Sequence, residues 1–429
     1  MSDLLLTYCG DDFTGSTDVM EALATAGLRT VLFLEPPAPA DLRRFDGLRA
    51  AGVASTSRAM SPSEMDASLT PAFERLRALG APLCHYKVCS TFDSSPAVGS
   101  IGRAIDIGAR VFGSRAVPLV VGAPVLRRYC AFGNLFATLD GATHRIDRHP
   151  VMCRHPVTPM DEGDIRVHLA KQTSRRIALM DLLQLAGGSD DIDRRYRALL
   201  QSEPGIVLFD VLDDERLAEV GRLILASGEP FAAGSSGIEY ALTAAWRRCG
   251  QLEDRPRVQP PGPAGRLLVV SGSCSTVTQG QIEWAQRHGF EGIRVPPDGD
   301  DAALVRLART ALDKGLNPLL YTALGPGDAA IRDARSRGPR VGEQLGRLAR
   351  RILEEERLPR LLVAGGDTSG YVARQLGLYA LEMAVPIAPG SPLCRARARD
   401  DAFDGLEIAL KGGQVGQPDY FASVQRGAA

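Results

Sequence analysis

Two adjacent carboxylates, Asp11 and Asp12, stand in the segment Gly10-Asp11-Asp12-Phe13-Thr14-Gly15-Ser16. They follow the apolar run Leu4-Leu5-Leu6-Thr7-Tyr8 and precede a helical pattern from Ser16 to Ala26, so they fall in the strand-to-helix turn where open α/β sheets place ligands. Gly10 and Gly15 imitate the spacing of a phosphate loop, but Ser16 stands where that motif needs Lys. Paired carboxylates repel a nucleotide phosphate unless a metal intervenes; they suit hydrogen bonding to hydroxyls and removal of a hydroxyl proton. The same Asp and Thr types also cap helices.

Further along, Tyr86-Lys87-Val88-Cys89-Ser90-Thr91-Phe92-Asp93 sets one Lys among apolar and hydroxyl residues. A compact cation with Ser90 and Thr91 beside it could hold an acidic, hydroxylated small molecule. The Pro-rich stretch Asp147 to Met160 reads as a rigid loop that presents Arg154 and His155 to an anion. Its His149, Cys153 and His155 do not follow a zinc-ligand spacing. Phe231 to Ile238 carries Gly234-Ser235-Ser236-Gly237, a small-residue turn that lacks the spacing of a serine-hydrolase elbow and leaves close ligand approach and tight packing both open.

Three turns toward the C-terminus pair Gly with hydroxyls or charge: Ser271-Gly272-Ser273-Cys274-Ser275, Gly365-Gly366-Asp367-Thr368, and Lys411-Gly412-Gly413. Such turns at helix N-termini are ready anion sites, and three of them in one region favour nucleotide binding. Asp367 adds a carboxylate able to hold Mg²⁺ or receive a proton. No G-x-G-x-x-G follows a strand with an acidic residue downstream, which argues against a nicotinamide-dependent dehydrogenase.

These segments need elements to hold them. Across 429 residues, short apolar runs alternate with amphipathic stretches: Thr30 to Leu34, Ala116 to Val121, Gly205 to Asp210, then Arg266 to Val270, Pro318 to Thr322, Arg360 to Ala364 and Leu406 to Leu410. That beat predicts an α/β fold of two domains with largely parallel sheets. Asp254 to Gly265 holds Pro256, Pro260, Pro261 and Pro263, so we expect domains at 1–253 and 266–429 joined by a linker at 254–265. With 50 basic and 51 acidic residues the net charge is −1, which offers no broad attraction to nucleic acid or an anionic membrane. Eight scattered cysteines, no signal peptide at Met1 to Leu6 and no apolar run of membrane-spanning length lead us to expect reduced thiols in a cytoplasmic protein.

Taken in order, Asp11-Asp12-Phe13-Thr14-Gly15, Lys87 with Ser90-Thr91, His155-Pro156-Val157-Thr158-Pro159-Met160, Ser271-Gly272-Ser273, Gly365-Gly366-Asp367-Thr368 and Lys411-Gly412-Gly413 resemble the four-carbon acid sugar kinase family over nearly the whole chain. The resemblance implies ATP-dependent, in-line phosphorylation of the terminal hydroxyl of threonate, erythronate or 3-oxo-tetronate, with the acid sugar on the N-terminal domain, ATP on the C-terminal one and the active site in the interdomain cleft. It implies that Asp11, Asp12, Thr14, Lys87, Ser90, Thr91, Arg154 and His155 face the substrate. Ser271, Ser273, Gly365, Gly366, Asp367, Thr368, Gly412 and Gly413 would then contact the nucleotide, with Mg²⁺ on Asp367. Asp12 is the first choice of general base and Asp367 the second; Lys87 or Arg154 would fix the substrate carboxylate. The segment Gly122 to Tyr129 is unlike the 3-oxo-tetronate branch, which leaves the acid sugar open. A homo-oligomer and, in a different class, a non-catalytic sensor of an acidic metabolite and a nucleotide also stay open.

Overall fold

The computed structural model describes residues 3–252, 260–297, 299–328 and 334–428, with the backbone alone for 334–339; most of the expected linker, 253–259, lies outside them. The chain divides into two compact units, Met1–Thr30 with Glu35–Pro256, and Val31–Leu34 with Arg257–Ala429.

In the first unit seven parallel strands run in the order Ala50–Ala54, Leu6–Gly10, Cys84–Lys87, Phe231–Gly234, Val117–Val120, Ile206–Phe209 and Ile177–Met180. Except for the edge strand Ile177–Met180 and Ala54, every strand residue in this set is buried, which is why these segments read as continuous apolar runs instead of alternating ones. Four helices start where a side chain satisfies an orphan N–H: Asp12 for Phe13–Thr25, Ser61 with Glu64 for Pro62–Ala78, Ser100 for Ile101–Phe112 and Asp213 for Asp214–Ser227. The first of these begins three residues ahead of the sequence expectation, because the cap, not the apolar periodicity, sets the start.

A small antiparallel sheet, Arg128–Ala131, Asn134–Leu139 and Ala142–Arg145, was not foreseen. Both of its hairpins turn on two residues with positive φ, Phe132-Gly133 and Asp140-Gly141, and the second pair is a strong local hairpin signal. The buried Asp210 carboxylate holds the first turn by accepting the N–H groups of Phe132 at 2.5 Å and Gly133 at 2.9 Å.

The second unit has five parallel strands in the order Phe290–Arg294, Asn317–Tyr321, Leu268–Ser271, Arg360–Ala364 and Glu407–Lys411. Antiparallel strands Ser391–Ala398 and Leu378–Ala388 extend it, and the strand Thr30–Phe33 pairs with the last of these through Val31, Leu32 and Phe33. The expected domain boundaries place Thr30 to Leu34 in the N-terminal domain, whereas Val31–Leu34 belongs to the second unit. Its apolar character was visible, but its partner, some 350 residues away along the chain, was not. Buried Arg360 ties the C-terminal helix Tyr420–Arg426 to the sheet, donating to the Val424 and Gln425 carbonyls at 2.7 and 2.8 Å and to Glu407 Oε2 at 2.8 Å.

Candidate active site

Parallel register decides what meets at the sheet edge. In the first unit Gly10 lies beside Ala54 and Lys87, and Lys87 beside Gly234, so the residues that follow these positions share one carboxyl-terminal edge. Strand Leu6–Gly10 lies between Ala50–Ala54 and Cys84–Lys87, so the chain reverses its direction across the sheet here, the position where such sheets bind ligands.

The backbone of Asp11 is held on both sides: its N–H donates to the Lys87 carbonyl at 2.9 Å and its carbonyl accepts from the Arg58 N–H at 3.0 Å. Its side chain is 4% exposed, and Oδ1 has no hydrogen-bond partner. Asp12 is differently engaged. Its Oδ1 accepts from the Gly15 N–H at 2.5 Å as the helix cap, and its Oδ2 accepts from Arg58 Nη1 at 2.9 Å. The other arm of Arg58 donates to Asp93 Oδ1 at 2.8 Å. Thr91 also donates to that oxygen, at 2.5 Å, and Thr158 reaches Asp93 Oδ2 at 3.2 Å while its N–H donates to His155 Nδ1 at 3.1 Å. Lys87, 3% exposed, pairs with Asp18 at 3.3 Å. A Cβ on Gly15 would lie 2.7 Å from Asp12 Oδ1, 3.2 Å from Lys87 Nζ and 3.6 Å from Asp11 Oδ1, so these three groups close on the glycine and leave no room for a side chain there. Phe92, between Thr91 and Asp93, sits at φ 57°, a left-handed conformation that a bulky residue adopts only when its surroundings impose it.

Burial pushes the Asp11 carboxyl up to about 7, with Asp12 adding to the rise and Arg58 and Lys87 opposing it. Burial acts the same way on Asp93, but Arg58, the Thr91 hydrogen bond and His155 together hold that carboxyl below its usual range. Burial pulls Lys87 down, and Asp18 and Asp11 outweigh it, so the lysine stays charged. Arg128 differs from the other cations near Cys89. Burial lowers it, it pairs with no carboxylate among the described residues, and its Nε is buried without a partner. Ser236 Oγ is likewise buried and unpartnered, one residue past the neighbouring Ser235, whose hydroxyl donates to Val121. Next to it Gly234 and Gly237 are packing glycines, since a Cβ would meet the Val120 carbonyl oxygen at 1.9 Å and that of Gly122 at 2.1 Å.

In the second unit the same logic sets Ser271 beside Ala364, and Ala364 beside Lys411. Gly365 follows with φ 120°, and a Cβ there would meet Thr368 Oγ1 at 2.9 Å. A Cβ on Gly272 would strike that same hydroxyl at 2.2 Å, and one on Gly413 would meet Ser273 Oγ at 2.9 Å. The result is a cradle of bare backbone and hydroxyls. Ser271 Oγ is buried with no partner. Lys411, 1% exposed, donates to Thr278 Oγ1 at 3.0 Å, and burial draws its ammonium down to about 8. Ser275 caps the helix Thr276–Gln286 by accepting the Thr278 N–H at 3.0 Å and donates to the Gly413 carbonyl. The cavity lined by Pro261, Arg360, Asp404 and Glu407 lies at the opposite, amino-terminal ends of these strands and plays no part here.

Residues 6–242 match the sugar-binding N-terminal domain family, and residues 268–421 match the nucleotide-binding C-terminal domain family. Over 99% of its length the chain is 49% identical to the 3-oxo-isoapionate kinase of Paraburkholderia graminis, covering 94% of that protein. The 3-oxo-tetronate kinase of Methylobacterium radiotolerans is 31% identical, with 97% of this chain and 98% of that one covered. The chain belongs to the four-carbon acid sugar kinase family. Within that family it is a carbohydrate kinase with a nucleotide-binding domain. Solved structures share the fold: a Salmonella typhimurium LT2 protein at TM-score 0.82 and 24% identity (99% of each chain), and a Haemophilus influenzae protein at 0.76 and 21% (98% and 99%).

Of the residues singled out from sequence, Asp11, Asp12, Lys87, Thr91 and His155 come together in one network. Thr14 and Ser90 lie near it, part-buried, without a side-chain bond to it. Arg154 is exposed and forms no ion pair among the described residues. Ser271, Ser273, Gly365, Thr368 and Gly413 converge in the second unit, joined by Gly366, Asp367 and Gly412 in the same turns; Asp367 is exposed in the first turn of Gly366–Gln375. Sequence reading missed Arg58, Asp93, Arg128 and Thr278. Only Asp93 carried a signal, its place directly after Ser-Thr in the Lys87 segment.

Proposed function

We propose that this kinase transfers the γ-phosphoryl group of ATP to a terminal hydroxyl of a 3-oxo acid sugar, with 3-oxo-isoapionate the first substrate to test. The observation that carries the substrate choice is the 49% identity over 99% of the chain with the 3-oxo-isoapionate kinase, against 31% for the 3-oxo-tetronate kinase of Methylobacterium radiotolerans. Threonate, erythronate and 3-oxo-tetronate are the next candidates.

The polarity of the first-unit site supports this reading. Asp11, Asp12 and Asp93 outnumber the cations they engage and suit sugar hydroxyls, whereas Arg128, which donates to the Leu126, Arg127 and Thr138 carbonyls but pairs with no carboxylate among the described residues, suits with Lys87 the carboxylate end of the substrate. In the second unit the glycine cradle and Lys411 fit the nucleotide phosphates. Mg²⁺ binds nucleotides through phosphates, water and one or two carboxylates, a pattern that Asp367, exposed at a helix N-terminus and without an ion pair among the described residues, can meet. When bound there the ion would neutralise charge on the transferring phosphoryl group. The protein's own share of the work is positioning and charge stabilisation, with a carboxylate of the first unit receiving the hydroxyl proton.

A coupled ADP-release assay with ATP and Mg²⁺, run over 3-oxo-isoapionate, 3-oxo-tetronates and both enantiomers of threonate and erythronate, tests the proposal. Strong turnover is expected with 3-oxo-isoapionate. Turnover confined to a four-carbon acid would replace that substrate, and ligand binding without ADP release from any acid would return the protein to the sensor reading.

A further inference from the structure

Resting on the kinase reading above, we infer that Asp11, and not its neighbour Asp12, is the group that takes the proton from the substrate hydroxyl. The adjacent carboxylates are equivalent in sequence and opposite in structure. Both oxygens of Asp12 are committed, one to the Gly15 N–H and the other to Arg58. A base so engaged must give up a cap or an ion pair before it can accept a proton. Asp11 is fixed through its backbone, which leaves the carboxyl aimed and Oδ1 unpartnered. That oxygen is buried 3.6 Å from where a Gly15 Cβ would stand, near Lys87 Nζ, at the point where the sheet reverses direction.

The charged groups around Asp11 come from four segments. Asp12 lies on its own turn, Arg58 follows the strand Ala50–Ala54, Lys87 ends the adjacent strand, and Asp93 belongs to the loop beyond. Cys9 and Tyr86 feel the Asp11 charge from beneath. Burial and the two carboxylates keep Asp11 protonated to near neutrality, while Arg58 and Lys87 make its ionised form accessible there, which is the balance a general base needs. In the transfer itself, the substrate oxygen forms its bond to the γ-phosphorus as its O–H proton passes to an Asp11 oxygen. The bond from that phosphorus to the bridging oxygen breaks, its electron pair leaves with ADP, and Asp11 later releases the proton to water.

The test compares Asp11→Asn and Asp12→Asn with the wild-type full chain, using ATP, Mg²⁺ and 3-oxo-isoapionate. Asp11→Asn is expected to lose at least about 10²-fold in kcat, to keep the KM for the acid within severalfold, and to lack the fall in kcat/KM expected of the wild type below about pH 7. Asp12→Asn should raise KM and lower Tm yet retain that acid limb. A kcat for folded Asp11→Asn within tenfold of wild type, or disappearance of the limb in Asp12→Asn alone, overturns the assignment.

Thermal stability supplies a readout that needs no substrate. The folded-state value of about 7 for Asp11 exceeds the unfolded carboxylate value of about 4, so its favourable contribution is full below the latter and lost as pH rises toward the former. Asp11→Asn should therefore gain Tm relative to wild type between about pH 5 and about pH 8. A Tm difference that stays constant over that range overturns the inference. If no acid sugar is turned over by the wild type, the substrate reading fails by itself, and this stability comparison still decides the ionisation of Asp11.

Discussion

At the scale of single residues, both sites are built around cations whose settings differ. Lys87 is kept charged by Asp18 and Asp11, whereas Lys411, among the described residues, has only the Thr278 hydroxyl and is pulled down by burial. A lysine that meets no carboxylate in a cradle of glycine and serine has its charge unspent, and an arriving phosphate would supply the missing partner. Lys411→Met should therefore raise the KM for ATP by about tenfold or more, the loss expected of one charge-assisted hydrogen bond, with little change in the KM for the acid sugar. The sign of the pH effect follows. Lys411 is charged below about 8, so the wild-type KM for ATP should rise as pH passes above that value, and the rise should be absent in Lys411→Met. Steady-state kinetics at several pH values checks both statements.

Elements deliver these residues through their ends. The helix Phe13–Thr25 starts at Asp12 because only a short polar side chain in extended backbone can satisfy the Gly15 N–H, and this cap fixes which aspartate turns outward to Arg58 and which stays beneath. Gly15 occupies the third helical position, where Ala would by propensity alone favour the helix by about 0.5–1 kcal/mol. Its Cβ would instead displace the Asp12 cap and enter the space shared with Lys87 and Asp11. Gly15→Ala is expected to raise the KM for the acid sugar at least about tenfold and to leave ATP binding unchanged, since a methyl group in a filled site costs more than about 1 kcal/mol. Calorimetric titration of each ligand separates the two effects. A Gly15→Ala enzyme with normal acid-sugar affinity would show that the placement of Asp12, Lys87 and Asp11 around the glycine does not govern binding.

For the whole molecule, the four residues Val31–Leu34 are the informative feature, because they belong to the second compact unit although they precede nearly all of the first in sequence. They hydrogen-bond the strand Leu378–Ala388 through Val31, Leu32 and Phe33, and the Leu34 N–H donates to the Tyr379 carbonyl at 3.0 Å. A fragment of residues 260–429 would leave that edge without its partner, and an unpaired edge is a template for self-association. We expect this fragment to aggregate or dimerise in size-exclusion chromatography. Added peptide spanning residues 29–35 should reduce the association; a monodisperse monomeric fragment would count against the role of the strand.

The sequence by itself determined the α/β alternation, the glycine and hydroxyl turns, and the pair Asp11-Asp12, since apolar runs, capping types and turn chemistry act over a few residues. Asp140-Gly141 and Pro389-Gly390 are local hairpin signals of the same kind. Tertiary structure alone decided that Arg58, from a turn after one strand, bridges Asp12 on a second and Asp93 on a loop after a third. It also decided that Arg154 stays exposed while Arg128 is part-buried, and that Thr278 meets Lys411 across 133 residues of chain. The physical reason is strand register. Which carboxyl ends lie side by side depends on pairings between segments far apart in sequence, and burial, which separates the chemistry of Asp11 from that of Asp12, exists only once those pairings have formed.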